Sequence, residues 1–288
     1  MALAMLGRPV AHAMELNIKN QIQGWRAQGM TPRMVTFLVG EDAASVVYAE
    51  QKVRVAKRLG IQNELIRLSS RTDEASLCQQ IDKYSRDASV HGIMLELPLP
   101  AQMNTRRVIS SISPEKDVDG LLRGLGIDHG QAMYPATPLA CIRLLKHYGF
   151  SLKGKHVALI GYGRTVGMPL FQLLIQENAT VTVCHAGTVD ISLHTRPSDI
   201  IFVAAGCADL ITEEMVRPHH VIVDAGINEC AVRGIVGDVA PQVMDIVHAM
   251  TPTPGGVGSV TTLQLFDNLL TTMAQQIQTQ PELELVAQ

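Results

Sequence analysis

Tyr48 and Lys52 stand four residues apart in Ser45-Val-Val-Tyr-Ala-Glu-Gln-Lys52, a stretch with helical character, so they share one face. In a recess, a phenol beside an amine makes a proton carrier whose charge state its neighbours can tune. On an open surface the same pair is a solvated helix face. Two glycine-rich stretches suggest a second kind of chemistry. Gly161-Tyr-Gly-Arg-Thr-Val-Gly167 follows the apolar run Val157 to Ile160 and precedes a helical pattern. Glycines there permit a tight turn and let a pyrophosphate approach a helix N-terminus. The spacing is one residue longer than the standard dinucleotide fingerprint, so its strand-turn-helix context carries the reading. Thr251-Pro-Thr-Pro254-Gly-Gly-Val-Gly258 runs directly into the apolar pattern Leu263, Leu265, Phe266, Leu269, Leu270. It reads either as backbone N–H groups offered to a ligand or as a stiff turn before a helix.

These residues need a framework to hold them. An amphipathic helix is expected from Ala11 to Gln28, a strand at Met34–Val39 ended by Gly40, and a helix from Ala43 to Leu59 stopped by Gly60. A strand at Asn63–Leu68, a helix at Glu74–Ser85 and a strand at Gly92–Leu97 follow, the last broken by Pro98 and Pro100. That β-α-β-α-β order implies a parallel sheet covered by helices on both faces. A polar linker, Ser111 to Gly130, and a helix near Pro138–Tyr148 lead into a second α/β unit with strands at Val157–Ile160, Ala179–Cys184, Ile200–Ala204 and Val221–Asp224. Nearly continuous apolar strands belong in a parallel sheet buried on both faces. The expected architecture is two α/β domains with parallel sheets, the second a Rossmann-like dinucleotide-binding domain, with a cleft between them. The first takes residues 1–120 and, by a returning helix, 263–288; the second takes 121–262. The tail after Thr279 is expected to fray.

Composition narrows the function classes. The chain has 288 residues, 47% hydrophobic and 18% charged, with net charge −3. That charge argues against nucleic acid or an anionic membrane as the main partner. No apolar run reaches membrane-spanning length. Five widely spaced cysteines without a C-x-x-C suggest free thiols and a cytoplasmic setting. Ten histidines show neither H-x-H nor H-x-x-x-H spacing, so no metal site is expected.

Taken together, these segments resemble the bifunctional methylenetetrahydrofolate dehydrogenase/methenyltetrahydrofolate cyclohydrolase family over nearly the whole chain. Val39-Gly-Glu-Asp42 with Ser45, Tyr48 and Lys52 matches the family's catalytic helix, and Leu97-Pro-Leu-Pro100 its strand-end motif. Lys116-Asp-Val-Asp-Gly120 matches the folate-site loop, and Pro135, Thr137 and Pro138 a P-C-T-P turn. Gly226-Ile-Asn228, Gly237-Asp-Val239 and Pro254–Gly258 match later motifs. The Y-x-x-x-K spacing is also found in short-chain dehydrogenases, but there the glycine turn precedes the pair. A hydroxy-acid dehydrogenase lacks support from any convincing His–Asp pair.

The resemblance implies a homodimer of one-carbon metabolism serving purine biosynthesis, binding a reduced folate and NADP or NAD, with no metal. It implies oxidation of methylenetetrahydrofolate, then hydrolysis of the methenyl product to formyltetrahydrofolate. Lys52 is then the base or proton relay for the water step. Tyr48 stacks on or steers the folate, and Asp119 binds pterin N–H donors. Leu97, Pro98, Pro254, Gly255 and Gly258 contact the substrate. Thr137, Gly161, Tyr162, Gly163, Arg164, Ala186, Ile227 and Thr261 contact the cofactor.

The chain departs from the family pattern where chemistry is most sensitive. Glu96 stands in place of glutamine, and a carboxylate there favours the ammonium form of Lys52, a poor base. The expectation is a weakened hydrolytic step with the dehydrogenase step retained, unless Glu96 itself takes over as base. Tyr162, Gly163 and Ala186 stand where relatives carry arginine, serine and serine. Their absence removes charge-assisted hydrogen bonds to a 2′-phosphate, about 1.5–3 kcal/mol each. A shift toward NAD⁺, or weak cofactor affinity, follows. The alternative is a specialised paralogue that binds folate or a pterin without full bifunctional activity.

Overall fold

The computed structural model describes residues 2–127 and 133–286. Along the chain lie β1 (Leu3–Ala4), α1 (Gly7–Ala27), β2 (Arg33–Val39), α2 (Ala43–Leu59), β3 (Gln62–Leu68), α3 (Glu74–Arg86) and β4 (Gly92–Leu95). Two short helices, α4 (Thr105–Ile109) and α5 (Leu121–Gly124), precede α6 (Ala136–His147), β5 (His156–Ile160), α7 (Gly167–Gln176) and β6 (Thr180–Cys184). Then come α8 (Ser192–Thr195), β7 (Ile200–Val203), β8 (Val221–Asp224), β9 (Asn228–Cys230), β10 (Gly234–Val236), β11 (Ala249–Met250) and α9 (Gly258–Val286).

The chain divides into two compact units. One comprises Met14–Tyr134 and Leu265–Gln288. Its parallel sheet has the order β3-β2-β4. Asp42 caps α2 by accepting from the Ser45 N–H at 2.9 Å, and Gly60 ends that helix in the left-handed region at φ 88°. Phe37, Leu77, Ile81, Ile93 and Leu95 fill the core against the sheet. Fully burying such side chains contributes about 1.5–3 kcal/mol each. The part of α9 from Leu265 onward closes this unit. The Asn268 amide donates to the Val118 carbonyl at 2.9 Å, and the Thr272 hydroxyl lies 3.0 Å from the His91 carbonyl.

The other unit comprises Met1–Ala13 and Pro135–Gln264. Its six-stranded parallel sheet has the order β1-β11-β8-β7-β5-β6. Ile160, Cys184, Val203 and Asp224 stand level at the strands' C-terminal edge. Open α/β sheets bind ligands at that edge. The antiparallel pair β9-β10 stands apart from this sheet.

Several sequence expectations change. Helix α1 starts at Gly7 instead of Ala11, because Pro9 is tolerated in a first helical turn. Residues 1–13 group with the second unit because Leu3–Ala4 pairs with β11. The third strand stops at Leu95, before Pro98. The linker contains a 3₁₀ turn at Pro114–Lys116 and α5, while its end at residues 128–130 lies outside the described residues. The second sheet has six strands instead of four, since the two-residue strands β1 and β11 are too short to show periodicity. Helix α9 continues to Val286, past the expected fraying point at Thr279.

Candidate active site

In the unit built on β2–β4, neighbouring elements deliver the candidate base and its partner. Helix α2 carries Tyr48 and Lys52 one turn apart. The Glu96 N–H donates to the Phe37 carbonyl at 2.9 Å, which extends the ladder one residue beyond β4 and fixes where the carboxylate starts. Lys52 Nζ then lies 3.0 Å from both Oε1 and Oε2 of Glu96. Glu96 is only 7% exposed and the Lys52 side chain 19%, so solvent screens this contact little. Symmetric contact with both oxygens suits an ammonium donating to a carboxylate. Ser45 is buried, donates its hydroxyl to Asp42 Oδ1 at 2.7 Å and lies 3.4 Å from the Leu97 carbonyl. The Leu97–Pro98 bond is cis, and Leu97 and Tyr48 are both exposed.

Asp119 is half-buried in the loop that follows Asp117, and Asp117 bridges to Ile93 of β4. The Asp117 carboxyl is fully buried and accepts from the N–H groups of Leu121 and Leu122 at 3.1 and 2.8 Å, capping α5. Burial pushes it up to about 7, and the neighbouring charge of Asp119 adds to the rise. Asp119 is thus carried by a loop whose backbone is anchored on both sides.

The other unit holds the nucleotide candidates. Gly161 follows β5 at φ 102°, and its N–H donates to the Cys184 carbonyl at 2.9 Å. A Cβ on Gly161 would lie 2.2 Å from the Ala204 oxygen, and one on Gly167 would lie 2.3 Å from the Gly161 oxygen. Only glycine allows this turn to fold down onto the start of α7, so the residues present fit a pyrophosphate cradle. Tyr162, Gly163 and Arg164 are exposed on the turn, with the Tyr162 ring edge-on to Phe171 at 6.1 Å. Ala186 is exposed just past β6, in a turn where the Gly187 N–H donates to His185 Nδ1 at 3.0 Å. Thr137 lies in the first turn of α6, and Ile227 is exposed after β8. The Thr261 hydroxyl donates to the Gly258 carbonyl at 3.1 Å. The Pro254–Gly258 loop rests on the start of α1, with the Gly7 N–H donating to the Gly255 carbonyl at 2.8 Å. Pro254 also lines a cavity of about 380 Å³ with Asp224, Gly237 and Met250.

The structure therefore joins Lys52 directly to Glu96, with Tyr48 on the same helix as Lys52, Leu97 and Pro98 next to Glu96 in the chain, and Asp119 in the same unit. It places Pro254, Gly255 and Gly258 in the unit of the nucleotide turn. Sequence reasoning assigned no role to Asp224 and Asp238, although both are buried acids at the end of β8 and beside β10. Their only signal was an acid closing an apolar strand and another flanked by Gly237 and Val239. Among the described residues, no three His, Cys, Asp or Glu side chains group to hold a metal ion, and no helix is long and apolar enough to cross a membrane.

Residues 5–119 match the model of the tetrahydrofolate dehydrogenase/cyclohydrolase catalytic domain, and residues 135–277 match that family's NAD(P)-binding domain. The chain is 43% identical to the bifunctional protein FolD of Pelotomaculum thermopropionicum, over 94% of this chain and 96% of that one. The crystal structure of the bifunctional FolD enzyme from Campylobacter jejuni superposes with a TM-score of 0.90 at 34% identity, covering 96% of this chain and all 100% of the other. The Trypanosoma brucei enzyme, complexed with NADP cofactor and an inhibitor, gives a TM-score of 0.88 at 32% identity over 96% and 98% of the two chains. Matched along both units, this chain belongs to the tetrahydrofolate dehydrogenase/cyclohydrolase family.

Proposed function

We propose that this chain oxidises methylenetetrahydrofolate to methenyltetrahydrofolate with NAD(P)⁺ and hydrolyses the product to formyltetrahydrofolate, with the hydrolytic step held back by Glu96. The oxidation and hydrolysis are the family's paired activities, named for its FolD relatives. The observation that carries the imbalance is the contact of Lys52 Nζ with both Glu96 oxygens at 3.0 Å.

When bound, NAD(P)⁺ supplies the hydride acceptor. The protein's part in that step is alignment, which asks for no proton removal by Lys52. Gly161, Gly167 and the start of α7 receive the pyrophosphate, with Thr137, Ile227 and Thr261 as further contacts. Asp119 accepts pterin N–H donors, and the exposed Tyr48 ring steers the folate. Leu97, Pro98 and the Pro254–Gly258 loop add substrate contacts. The water step does need a base. An ammonium has no lone pair to take a proton, so a Lys52 held between two carboxylate oxygens assists water poorly.

The site that would receive a 2′-phosphate carries Tyr162, Gly163 and Ala186, none of which brings a cation. Exposed Arg164 is the positive charge on that turn. This supports NAD⁺ at least matching NADP⁺. Free cysteines in both units support a reducing, cytoplasmic setting, and the resemblance supports a homodimer.

One set of assays tests the reading. Absorbance is followed after mixing with methylenetetrahydrofolate and each nucleotide, and again with supplied methenyltetrahydrofolate. The expected result is oxidation with kcat/KM for NAD⁺ equal to or above that for NADP⁺, and slow hydrolysis. A strong NADP⁺ preference overturns the cofactor assignment. Hydrolysis as fast as oxidation overturns the restraint by Glu96. Absence of oxidation with either nucleotide overturns the function.

A further inference from the structure

Two buried carboxylates, Asp224 and Asp238, hold the backbone next to the nucleotide turn. Asp238 is fully buried. Its Oδ2 accepts from the N–H groups of Ala205 and Gly206 at 2.7 and 2.9 Å, and its Oδ1 from the Cys207 N–H at 2.9 Å and the Asn228 amide at 2.8 Å. Three consecutive backbone N–H groups converging on one carboxylate form an anion nest, here filled by the protein's own side chain. Asp224 does similar work next to it. It accepts from the N–H groups of Gly226, Asp238 and Val239 at 2.8, 3.2 and 3.1 Å. Glycines make room for both acids: a Cβ on Gly226 would lie 2.2 Å from the Asp238 carboxyl carbon, and one on Gly237 would lie 1.9 Å from Asp224 Oδ2.

The segment that Asp238 holds is the floor of the nucleotide turn. The Ala204 N–H donates to the Ile160 carbonyl at 2.7 Å. The Gly161 Cα faces the Ala204 carbonyl and the Ala205 nitrogen so closely that a Cβ would fall within 2.2 and 2.9 Å of them. A shift of residues 204–207 therefore reaches Gly161 through backbone packing that has no slack. From Gly161 it passes to the start of α7, where the Gly161 carbonyl abuts Gly167.

We propose that Asp238 is a positioning residue for dinucleotide binding: its buried carboxylate pins Ala205–Cys207 and so sets the height of the Gly161 turn. It acts through backbone and touches no ligand. The inference rests on the reading that this turn receives NAD(P)⁺.

The test is calorimetry of NAD⁺ and NADP⁺ binding to the full chain, with dehydrogenase kinetics alongside. In Asp238→Asn, an amide N–H₂ replaces an acceptor facing backbone donors. In Gly226→Ala, the added methyl displaces the carboxylate without removing its charge. Each is expected to raise Kd and KM for the nucleotide about tenfold or more, the affinity carried by one charge-assisted hydrogen bond between the turn and the pyrophosphate. KM for methylenetetrahydrofolate stays at the parent value, and kcat at saturating nucleotide stays within about threefold. Asn228→Ala, which leaves the backbone bonds in place, is expected to raise the nucleotide Kd about two- to fivefold. It keeps the idea testable should the other variants fail to fold. A merely structural Asp238 would lower the melting temperature while leaving the nucleotide Kd of the folded fraction unchanged, and that result overturns the proposal. So does a fall in kcat at unchanged nucleotide KM. Calorimetry needs no turnover, so a parent chain that binds nucleotide but fails to oxidise the folate defeats the functional reading and leaves this one standing. A parent that binds neither nucleotide defeats both.

Discussion

Glu96→Gln is expected to raise hydrolysis of supplied methenyltetrahydrofolate at pH 7 by about ten- to a hundredfold, part of the 10²–10⁴ that a well-placed general base contributes. Glutamine keeps the length and hydrogen-bonding oxygen of Glu96 but removes the charge facing Lys52 at 3.0 Å. At 7% exposure, little water dilutes that charge, so its removal is felt strongly at Lys52 Nζ. With the carboxylate gone, Nζ is no longer clasped by two anionic oxygens, which frees it to engage the attacking water. Dehydrogenase kcat should change by less than about threefold, because hydride transfer depends on alignment instead of proton removal. The readout is the ratio of the two rates in one preparation, corrected for spontaneous hydrolysis, so protein concentration and folded fraction cancel. An unchanged ratio shows that the pair does not limit the water step. A ratio that falls shows that Glu96 is itself the base, and reverses the assignment.

The parts of this site that sequence made legible are those where local rules and chemistry coincide. Helix α2 was readable at both ends because Asp42 and Gly60 are unambiguous caps, so the Tyr48–Lys52 spacing could be trusted. The Gly161 turn was readable because glycine there has a backbone reason, visible as its φ of 102°. Glu96 facing Lys52 was an expectation drawn from the family pattern, and the pairing distance needed the fold. What stayed hidden depends on long-range contact. Strands β1 and β11 hold two residues each and exist only because they pair with one another and with β8. The same holds for Asp238, whose partners Ala205–Cys207 lie 31 to 33 positions away along the chain. A buried acid satisfied by distant backbone N–H groups leaves no periodic trace. Asp117, by contrast, bonds to residues four and five positions on, a local cap, whereas Asp119 is marked only by the family pattern.

Lys52→Met is expected to cost more stability than any surface substitution in this chain, about 2–4 kcal/mol at neutral pH. Breaking a buried ion pair from one side costs about 3–5 kcal/mol, because the partner charge stays behind without compensation. The 19% exposure of the Lys52 side chain lets some water in and trims that figure. The Glu96 carboxylate is left nearly sealed from solvent beside an apolar thioether, with both of its contacts to Nζ gone. A chain of this size should lose roughly 4–16 °C in melting temperature, at about 2–4 °C per kcal/mol. The double variant Lys52→Met/Glu96→Gln removes the stranded charge and should recover most of the loss. The resulting coupling energy of about 1–3 kcal/mol, measured by denaturant unfolding of all four proteins, isolates the pair. Simple additivity would mean that the contact contributes nothing beyond packing. Activity provides the second readout: hydrolysis should vanish in both proteins lacking Lys52, including the stabilised double variant. Hydrolysis surviving at the parent rate in that variant would remove Lys52 from the water step, whatever its part in stability. The two readouts separate the roles, because stability follows the charge balance of the pair, whereas proton transfer follows the amine alone.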